Sequence, residues 1–299
     1  HSLCHNEVKV MHKARDGTIW LGTVDGLNRL DPASMAFHCF RNEADNEFSL
    51  SNNEVVAIQE DDSGNLWVGT EGGGVNYFDS SDSKFYRYQQ DANDPASLSN
   101  DEIQTLYISE DESLWVGTVN GLNRLAPDQA NLRQGAVNFE KFWYQKGSRD
   151  SISSNVISAI YQDHGGVIWV GTEGGGLNKL IPASFGRAAR TGLSDELWSG
   201  HRISAIYKDV REVIWVGSEN LGLFSYHPGT QEYLKYDCRQ LPCEGNMHLE
   251  VTAIAGNDER VWFATDGGGL IKFSLETSEF YAIPLPEIED LAITSLHLT

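Results

Sequence analysis

Cysteine, methionine and proline are scarce in this sequence, and basic residues are outnumbered by acidic ones. The 299 residues include 4 cysteines, 3 methionines and 8 prolines. So few cysteines exclude a small scaffold held together by many disulfides. The net charge is −21, from 22 Lys and Arg against 43 Asp and Glu. This charge argues against nucleic acid or an anionic membrane surface as a partner, because both would repel the chain.

Long hydrophobic runs and enzyme motifs are also missing. No stretch approaches the roughly 20 apolar residues that span a bilayer, and none resembles a signal peptide. The nine histidines lack metal-ligand spacing, and there is no phosphate-binding glycine loop or nucleophile elbow. The acidic stretch 61–65 lacks the alternating ligands and closing Glu of a calcium loop. We predict no metal, no cofactor and no catalysis in this segment, although an enzyme that assembles distant carboxylates would leave no such motif.

One short pattern recurs along the whole chain. It consists of an apolar residue, Trp, another apolar residue, Gly or Ala, and Thr or Ser, and its copies are spaced 46 to 54 residues apart. The six copies centre on Trp20, Trp67, Trp115, Trp169, Trp215 and Trp262. A period in the forties with one strand motif per unit indicates a repeat architecture.

The unit around Trp67 predicts four short strands. Stretch 66–70 is apolar or small on both faces, so a strand there is covered on both sides. Further β-rich runs occupy 55–58, 75–78 and 84–88, and turn-rich segments separate them. Four such strands form an antiparallel meander, and radial repetition around an axis covers both of its faces. Each unit is therefore predicted to be a β-propeller blade.

The whole chain is predicted to be all-β, with six complete four-stranded blades and the first strand of a further blade in a single propeller domain, 1–299. The predicted blades are about 1–48, 49–96, 97–150, 151–200, 201–247 and 248–289, with a partial blade at 290–299. Stretch 293–296 repeats the inner-strand pattern of 157–160. We therefore expect a fragment of a longer protein that continues the propeller.

The combined pattern S-L-S-x-N-x-V-x-x-I-x-x-D-x-x-G-x-[IL]-W-V-G-T-x-x-G-[GL] resembles the two-component regulator propeller repeat. Stretches 50–74 and 152–176 show it best, and recognisable copies cover essentially the whole chain. The resemblance implies a propeller of the seven-bladed type in the periplasmic, extracytoplasmic region of a bacterial inner-membrane receptor. It also implies a β-sandwich, a transmembrane helix and an output domain, either a histidine kinase (often hybrid) or a diguanylate cyclase. The ligand implied is a saccharide. Arg211-Glu212 and Ala264 depart from the pattern, at a turn glycine and at the motif glycine.

Tryptophans are the largest candidate ligand contacts. The six repeat tryptophans have two interpretations: packing between blades, with the glycine two residues on making room for a neighbouring ring, or platforms for sugar rings. The pattern favours packing. Trp143 and Trp198 fall outside the repeat, near blade-connecting loops, and are candidate ligand-binding residues, with loop packing as the alternative.

Polar residues after the Trp strand form the main candidate ligand-binding set. These are Asp25, Glu71, Asn120, Glu173, Glu219 and Asp266. In a propeller this turn lies on the same face as the blade connections, so the carboxylates would form a ring for a polar ligand or a cation. The turns have two lengths, and the resulting uneven ring suits an asymmetric ligand. The alternative is ordinary turn usage before glycine.

Two arginines at the start of third strands complete the candidate set. Arg29 and Arg124 follow Asn28 and Asn123, and such pairs bind sugar hydroxyls or a carboxylate when they lie at a groove mouth. The alternative is a satisfied asparagine at the strand end with an outward-facing cation.

The cysteines give one candidate disulfide. Cys238 and Cys243 lie five residues apart in one connection and would bridge in an oxidising compartment; the alternative is two free thiols. Cys4 and Cys39 are expected on the inner and outer strands of one blade. That separation is too large for a bridge, which needs Cα atoms within about 7 Å.

Reversible binding of a small polar ligand, with an oligosaccharide as one candidate, is the predicted function. We expect a homodimer in the full-length receptor, no nucleic acid partner, and membrane attachment only through other segments. Two alternatives stay open: a polysaccharide lyase or glycosidase built on a propeller, and a scaffold for protein interactions.

Overall fold

The computed structural model describes residues 2–127, 132–133, 137–148, 150–180, 188–190 (backbone only), 200–237, 240–242, 249–266, 268–284, 293 and 296. These residues form 24 strands in six four-stranded antiparallel sheets, with no helix among them. In each sheet the strands neighbour one another in chain order. The predicted all-β propeller with six four-stranded blades is confirmed. The predicted partial blade lies outside the described residues, apart from Ile293 and Leu296.

The chain forms two compact units. The first comprises His1–Trp143 with Asn155–Ile157, and the second comprises Tyr144–Ser154 with Ser158–Thr299. Blades 1 to 3 belong to the first unit, and blades 4 to 6 to the second, apart from Ile157.

Each blade of the first unit is a simple meander. Blade 1 contains β1 (Val8–Lys13), β2 (Ile19–Thr23), β3 (Gly26–Asp31) and β4 (Ala36–Phe40). Blade 2 contains β5 (Val55–Glu60), β6 (Leu66–Thr70), β7 (Gly74–Asp79) and β8 (Lys84–Tyr88). Blade 3 contains β9 (Ile103–Ile108), β10 (Leu114–Thr118), β11 (Gly121–Leu125) and β12 (Phe139–Phe142).

The second unit repeats this arrangement. Blade 4 contains β13 (Ile157–Gln162), β14 (Ile168–Thr172), β15 (Gly176–Leu180) and β16 (Ala188–Arg190). Blade 5 contains β17 (Ile203–Lys208), β18 (Ile214–Ser218), β19 (Gly222–His227) and β20 (Glu232–Tyr236). Blade 6 contains β21 (Glu250–Gly256), β22 (Arg260–Asp266), β23 (Leu270–Ser274) and β24 (Glu279–Ile283).

Five of the six repeat tryptophans lie in the core of the protein. These five, Trp20, Trp67, Trp115, Trp169 and Trp215, are buried. Trp20 meets Phe78 of the next blade at 5.3 Å between ring centroids, and Trp215 meets Phe273 of the next blade at 4.9 Å. The packing interpretation is confirmed for Trp20, Trp67, Trp169 and Trp215, which share a core with residues of the next blade.

The motif glycine makes room for an aliphatic side chain of the next blade. A Cβ added at Gly69 would lie 2.7 Å from Cγ2 of Ile103, the first residue of the next inner strand. The same clash would arise between Gly171 and Ile203, at 2.6 Å. The sequence-based expectation of a neighbouring ring in this space was wrong, because the blades are joined here by Val and Ile methyl groups.

Substitution of Gly69 tests this close approach. We expect Gly69→Ala to lower the free energy of unfolding by about 1–3 kcal/mol, the usual cost of overpacking. Gly229→Ala is the matched control, since a Cβ there would meet no atom within 4 Å. Urea denaturation of both variants gives the comparison, and similar stability of the two variants would contradict the clash.

The connecting segments cross over the third strands. The Ser51 N–H donates to Asn76 Oδ1 at 2.9 Å, and Asn76 Nδ2 donates to Ser51 Oγ at 2.8 Å. Ser99 with Asn123, and Ser153 with Asn178, repeat this pair. The side chains of these third-strand asparagines are therefore buried, and their hydrogen bonds are made within the chain.

This crossing explains a disulfide that the sequence analysis excluded. Cys4 stands at the position that Ser51 occupies in blade 2, and its N–H donates to Asn28 Oδ1 at 2.7 Å. Cys39 pairs with Asn28 across β3 and β4. Cys4 therefore lies above the outer strands and not on the inner strand, and it bonds Cys39 with a Cα–Cα distance of 5.9 Å. The other predicted pair, Cys238 and Cys243, lies outside the described residues.

Candidate functional site

The turns after the Trp strands and the starts of the inner strands lie together at one end of each blade, which we call the connecting face. In blade 2 the Glu71 N–H donates to the Glu54 carbonyl at 2.9 Å, and in blade 3 the Val119 N–H donates to the Glu102 carbonyl at 3.2 Å. Glu71 also forms an isolated backbone bridge with Glu102. These bonds join the connecting faces of blades 2 and 3 into one strip.

A charged cluster lies at the connecting faces of blades 1 and 2 in the first unit. Lys9 Nζ lies 2.8 Å from Glu7 Oε1 and 3.7 Å from Glu54 Oε1. Burial raises the pKa of the Glu54 carboxyl, and its hydrogen bond with the Glu71 carboxyl raises it further. The pKa of Lys9 is raised mainly by its hydrogen bond to Glu7. The cluster thus offers an ammonium donor among carboxylates, which suits hydroxyl-rich ligands.

Asp25 and Asn120 behave differently from Glu71. Asp25 Oδ1 accepts from Asn53 Nδ2 of the next blade at 3.1 Å, and Asp25 Oδ2 accepts from Arg41 Nη2 at 2.8 Å. Asn120 Oδ1 accepts from Asn155 Nδ2 at 3.3 Å. Both residues stand two positions after the motif Thr and bond the connecting segment, whereas Glu71 directly follows its Thr.

The second unit has its own cluster, around Arg202. Arg202 Nε lies 3.2 Å from Glu219 Oε1, and Arg202 forms an isolated backbone bridge with Glu173. Burial raises the pKa of Glu219, Arg202 lowers it, and Glu250 and Glu173 raise it. Asp266 is exposed and pairs with Glu250 across β21 and β22. Glu219 therefore contacts the guanidinium, and Glu173 lies beside Arg202 through its backbone, whereas Asp266 is placed beside Glu250.

Trp143 is an accessible ring beside the connecting face of the first unit. It is 45% exposed, and a Cβ added at Gly121 would lie 2.9 Å from its indole. Lys141 Nζ lies 6.0 Å from the ring centroid. Gly121 follows Asn120, so Trp143 stands next to a predicted polar residue. Trp198, the other candidate outside the repeat, lies outside the described residues.

The two candidate arginines lie away from the connecting clusters. Arg124 Nη2 donates to Asp111 Oδ2 at 3.1 Å, and its guanidinium carbon lies 5.7 Å from the Trp115 ring centroid. Asp111 belongs to the turn between the first and second strands, at the opposite end of the blade. Arg29 is exposed and lies between Trp20 and His38 in the sheet register.

Sequence reasoning missed Lys9, Glu54 and Arg202. A signal was available, because the residue just before the inner strand's first apolar residue is charged in five copies: Glu7, Glu54, Glu102, Arg202 and Glu250. Within the described ranges, no group of three or more His, Cys, Asp and Glu side chains is arranged to hold a metal ion. No helix in the same ranges has the length and apolar character needed to cross a membrane.

The repeats match a known family. Residues 49–72 and 151–174 fit the two component regulator propeller family. These two stretches, one in blade 2 and one in blade 4, match the two component regulator propeller repeat. None of the curated proteins compared with it matches.

Solved structures with a similar fold include the extracellular domains of two bacterial proteins. The extracellular domain of BT3049 from B. thetaiotaomicron, described as a hybrid two component system, is 22% identical with a TM-score of 0.73, and the match covers 98% of this chain and 36% of that one. That of BT4673 from the same organism, described as a one component system, is 21% identical with a TM-score of 0.72, covering 97% and 36%. A catalytically inactive virginiamycin B lyase from Staphylococcus aureus with quinupristin is 13% identical with a TM-score of 0.64, covering 91% and 82%. The chain thus spans about a third of the length of the two extracellular domains.

Proposed function

We propose that this chain is a ligand-sensing propeller region of a bacterial receptor, outside the cytoplasm. The observation that carries the proposal is the match of two stretches, 49–72 and 151–174, to two-component regulator propeller repeats. The output would be a histidine kinase, of hybrid type, or a diguanylate cyclase in other parts of the full-length protein. The segment itself would bind and release its ligand without catalysis.

The disulfide supports the proposed location. Cys4 and Cys39 are bonded in the first unit, and disulfides persist in oxidising compartments such as the periplasm. In the proposed arrangement the propeller is periplasmic, and other segments of the protein attach it to the inner membrane.

The connecting faces are the proposed ligand surface, and a small polar ligand such as an oligosaccharide is the proposed ligand class. In the first unit, Lys9, Glu54 and Glu71 offer donors and acceptors for hydroxyl groups, and Trp143 offers an exposed ring. Binding produces a signal only if the ligand prefers one arrangement of the receptor over another. In a homodimeric receptor, the two arrangements would differ in how the propellers are placed.

Calorimetric titration with a panel of neutral and uronic oligosaccharides tests this function. We expect Trp143→Ala to weaken binding of the best ligand about tenfold, a loss of about 1.4 kcal/mol. Tyr233→Ala is the matched control, since Tyr233 is 43% exposed on the outer strand β20. Failure of every oligosaccharide to bind, or equal loss in both variants, would contradict the proposal. Conversion of a bound oligosaccharide into products would favour a lyase or glycosidase instead.

A further inference from the structure

A cavity lies between blades 2 and 3 of the first unit. Its volume is ≈ 370 Å³. Asp61, Asp62 and Glu112 line it, and they belong to the turns between first and second strands. The cavity therefore opens at the end of the blades opposite the connecting face. Its apolar wall consists of Trp67, Tyr77, Leu114, Leu125, Ala126, Pro127 and Leu132.

Trp67 leaves a hydrogen-bond donor free at this cavity. In blades 3, 4 and 5 the repeat Trp Nε1 donates to the residue that follows the inner strand: Trp115 to Ser109 (3.2 Å), Trp169 to Asp163 (2.9 Å) and Trp215 to Asp209 (3.0 Å). The equivalent acceptor in blade 2 is Asp61. Trp67 is only 5% exposed, and its Nε1 has no acceptor among the residues that the structure describes.

Tyr77 is the reason for this difference. Its hydroxyl donates to Asp61 Oδ2 at 3.2 Å, while Asp61 Oδ1 accepts the Ser63 and Asn65 N–H groups, each at 2.9 Å. Burial, and next the charge of Asp61, raise the pKa of Tyr77 far above its ordinary value. The hydroxyl therefore stays protonated and donates to Asp61 Oδ2, which also accepts from Asn65 Nδ2 at 3.3 Å. The indole N–H of Trp67 is left to face the cavity.

The rim of the cavity carries an excess of negative charge. Arg15 Nη2 pairs with Asp62 Oδ1 at 2.6 Å, and Arg133 is paired with the buried Asp79. Burial raises the pKa of Glu112, and the Asp62 N–H donates to Glu112 Oε2 at 3.4 Å. The three carboxylates of the lining thus outnumber the single guanidinium that pairs with one of them.

We propose that this cavity binds a small amphipathic amine. The apolar ring of the ligand would pack against Leu114 and Leu125, and an acceptor atom would receive the Trp67 indole N–H. The protonated amine would face Asp62 and Glu112. This site lies at the other end of the blades from the proposed sensing surface. A negative result for one proposal therefore leaves the other unaffected.

Three matched compounds test the charge requirement: tyramine, tyrosol and 4-hydroxyphenylacetate share a phenol ring and end in an ammonium, a hydroxyl and a carboxylate. We expect tyramine to bind the 299-residue chain at least about tenfold more tightly than tyrosol, and 4-hydroxyphenylacetate to bind least. Titration of the ¹⁵N-labelled chain, with the Trp67 indole signal assigned through Trp67→Phe, gives both affinity and location. Equal binding of the three compounds, or tyramine binding that leaves the Trp67 indole signal unmoved, would overturn the proposal.

Two variants locate the charge and the donor. We expect Glu112→Gln and Trp67→Phe each to weaken tyramine binding about five- to tenfold, with Glu47→Gln as the unchanged control, because Glu47 is exposed and does not line the cavity. Glu112 is at the rim, so its variant keeps the test valid if Trp67→Phe is less stable. Unchanged affinity in Glu112→Gln would overturn the assigned role of the carboxylates.

Discussion

Replacing Trp215 by alanine is expected to lower the free energy of unfolding by about 3–5 kcal/mol, the range found for removal of a buried aromatic side chain. Trp215 is 1% exposed. Its ring lies 5.2 Å from Phe263 and 4.9 Å from Phe273, both of blade 6, between ring centroids. Its Nε1 also donates to Asp209 Oδ2 at 3.0 Å, and the substitution removes this hydrogen bond. Urea denaturation followed by circular dichroism measures the loss.

Trp143→Ala is the control for this substitution. Trp143 is 45% exposed, so its removal is expected to change the free energy of unfolding by about 0.5 kcal/mol or less. Equal losses in the two variants would show that the repeat tryptophans do not hold the blades together. Trp215→Phe separates ring packing from the indole hydrogen bond, and we expect an intermediate loss.

The blade itself was predictable because its evidence is local. The stretch 66–70 is apolar or small on both faces, which indicates a strand covered on both sides, and all five of its residues are buried. The partner of Gly69 was not predictable in the same way. A glycine shows that a neighbour comes close, but the sequence does not show that this neighbour is Ile103, 34 positions further along the chain.

The candidate site was predictable only in part. The turn acids were found from turn chemistry, and Glu71, Glu173 and Glu219 do lie beside the inner strands. Their companions Lys9 and Arg202 were missed, because the strand register and the blade-to-blade geometry bring them to the carboxylates.

The free indole of Trp67 shows the same limit at the other end of the blade. Asp61 and Asp163 occupy the same position in the repeat, but Tyr77 stands where blade 4 has Lys179. This difference between the two repeats is visible in the sequence. Its consequence is that Asp61 accepts from Tyr77 and not from the Trp67 indole N–H, and this follows only from the distance between the Tyr77 hydroxyl and Asp61.

Removing the disulfide is expected to have the second large effect. Cys4→Ala with Cys39→Ala should lower the free energy of unfolding by about 2–4 kcal/mol, because the bond closes a loop with a sequence separation of 35. Reduction of the unmodified chain with dithiothreitol should produce a similar loss. Urea denaturation of the oxidised, reduced and substituted chains gives the comparison.

Serine at position 4 should recover part of this loss. Blades 2, 3 and 4 have serine at this position, and Ser51 Oγ accepts from Asn76 Nδ2 at 2.8 Å. Asn28 is the equivalent asparagine, so Cys4→Ser with Cys39→Ala should be more stable than the double alanine variant by about 1 kcal/mol, the net value of one hydrogen bond. Equal stability of these two variants would show that the connecting segment of blade 1 does not depend on this hydrogen bond. A double alanine variant as stable as the oxidised chain would show that the bond between Cys4 and Cys39 adds nothing to the fold.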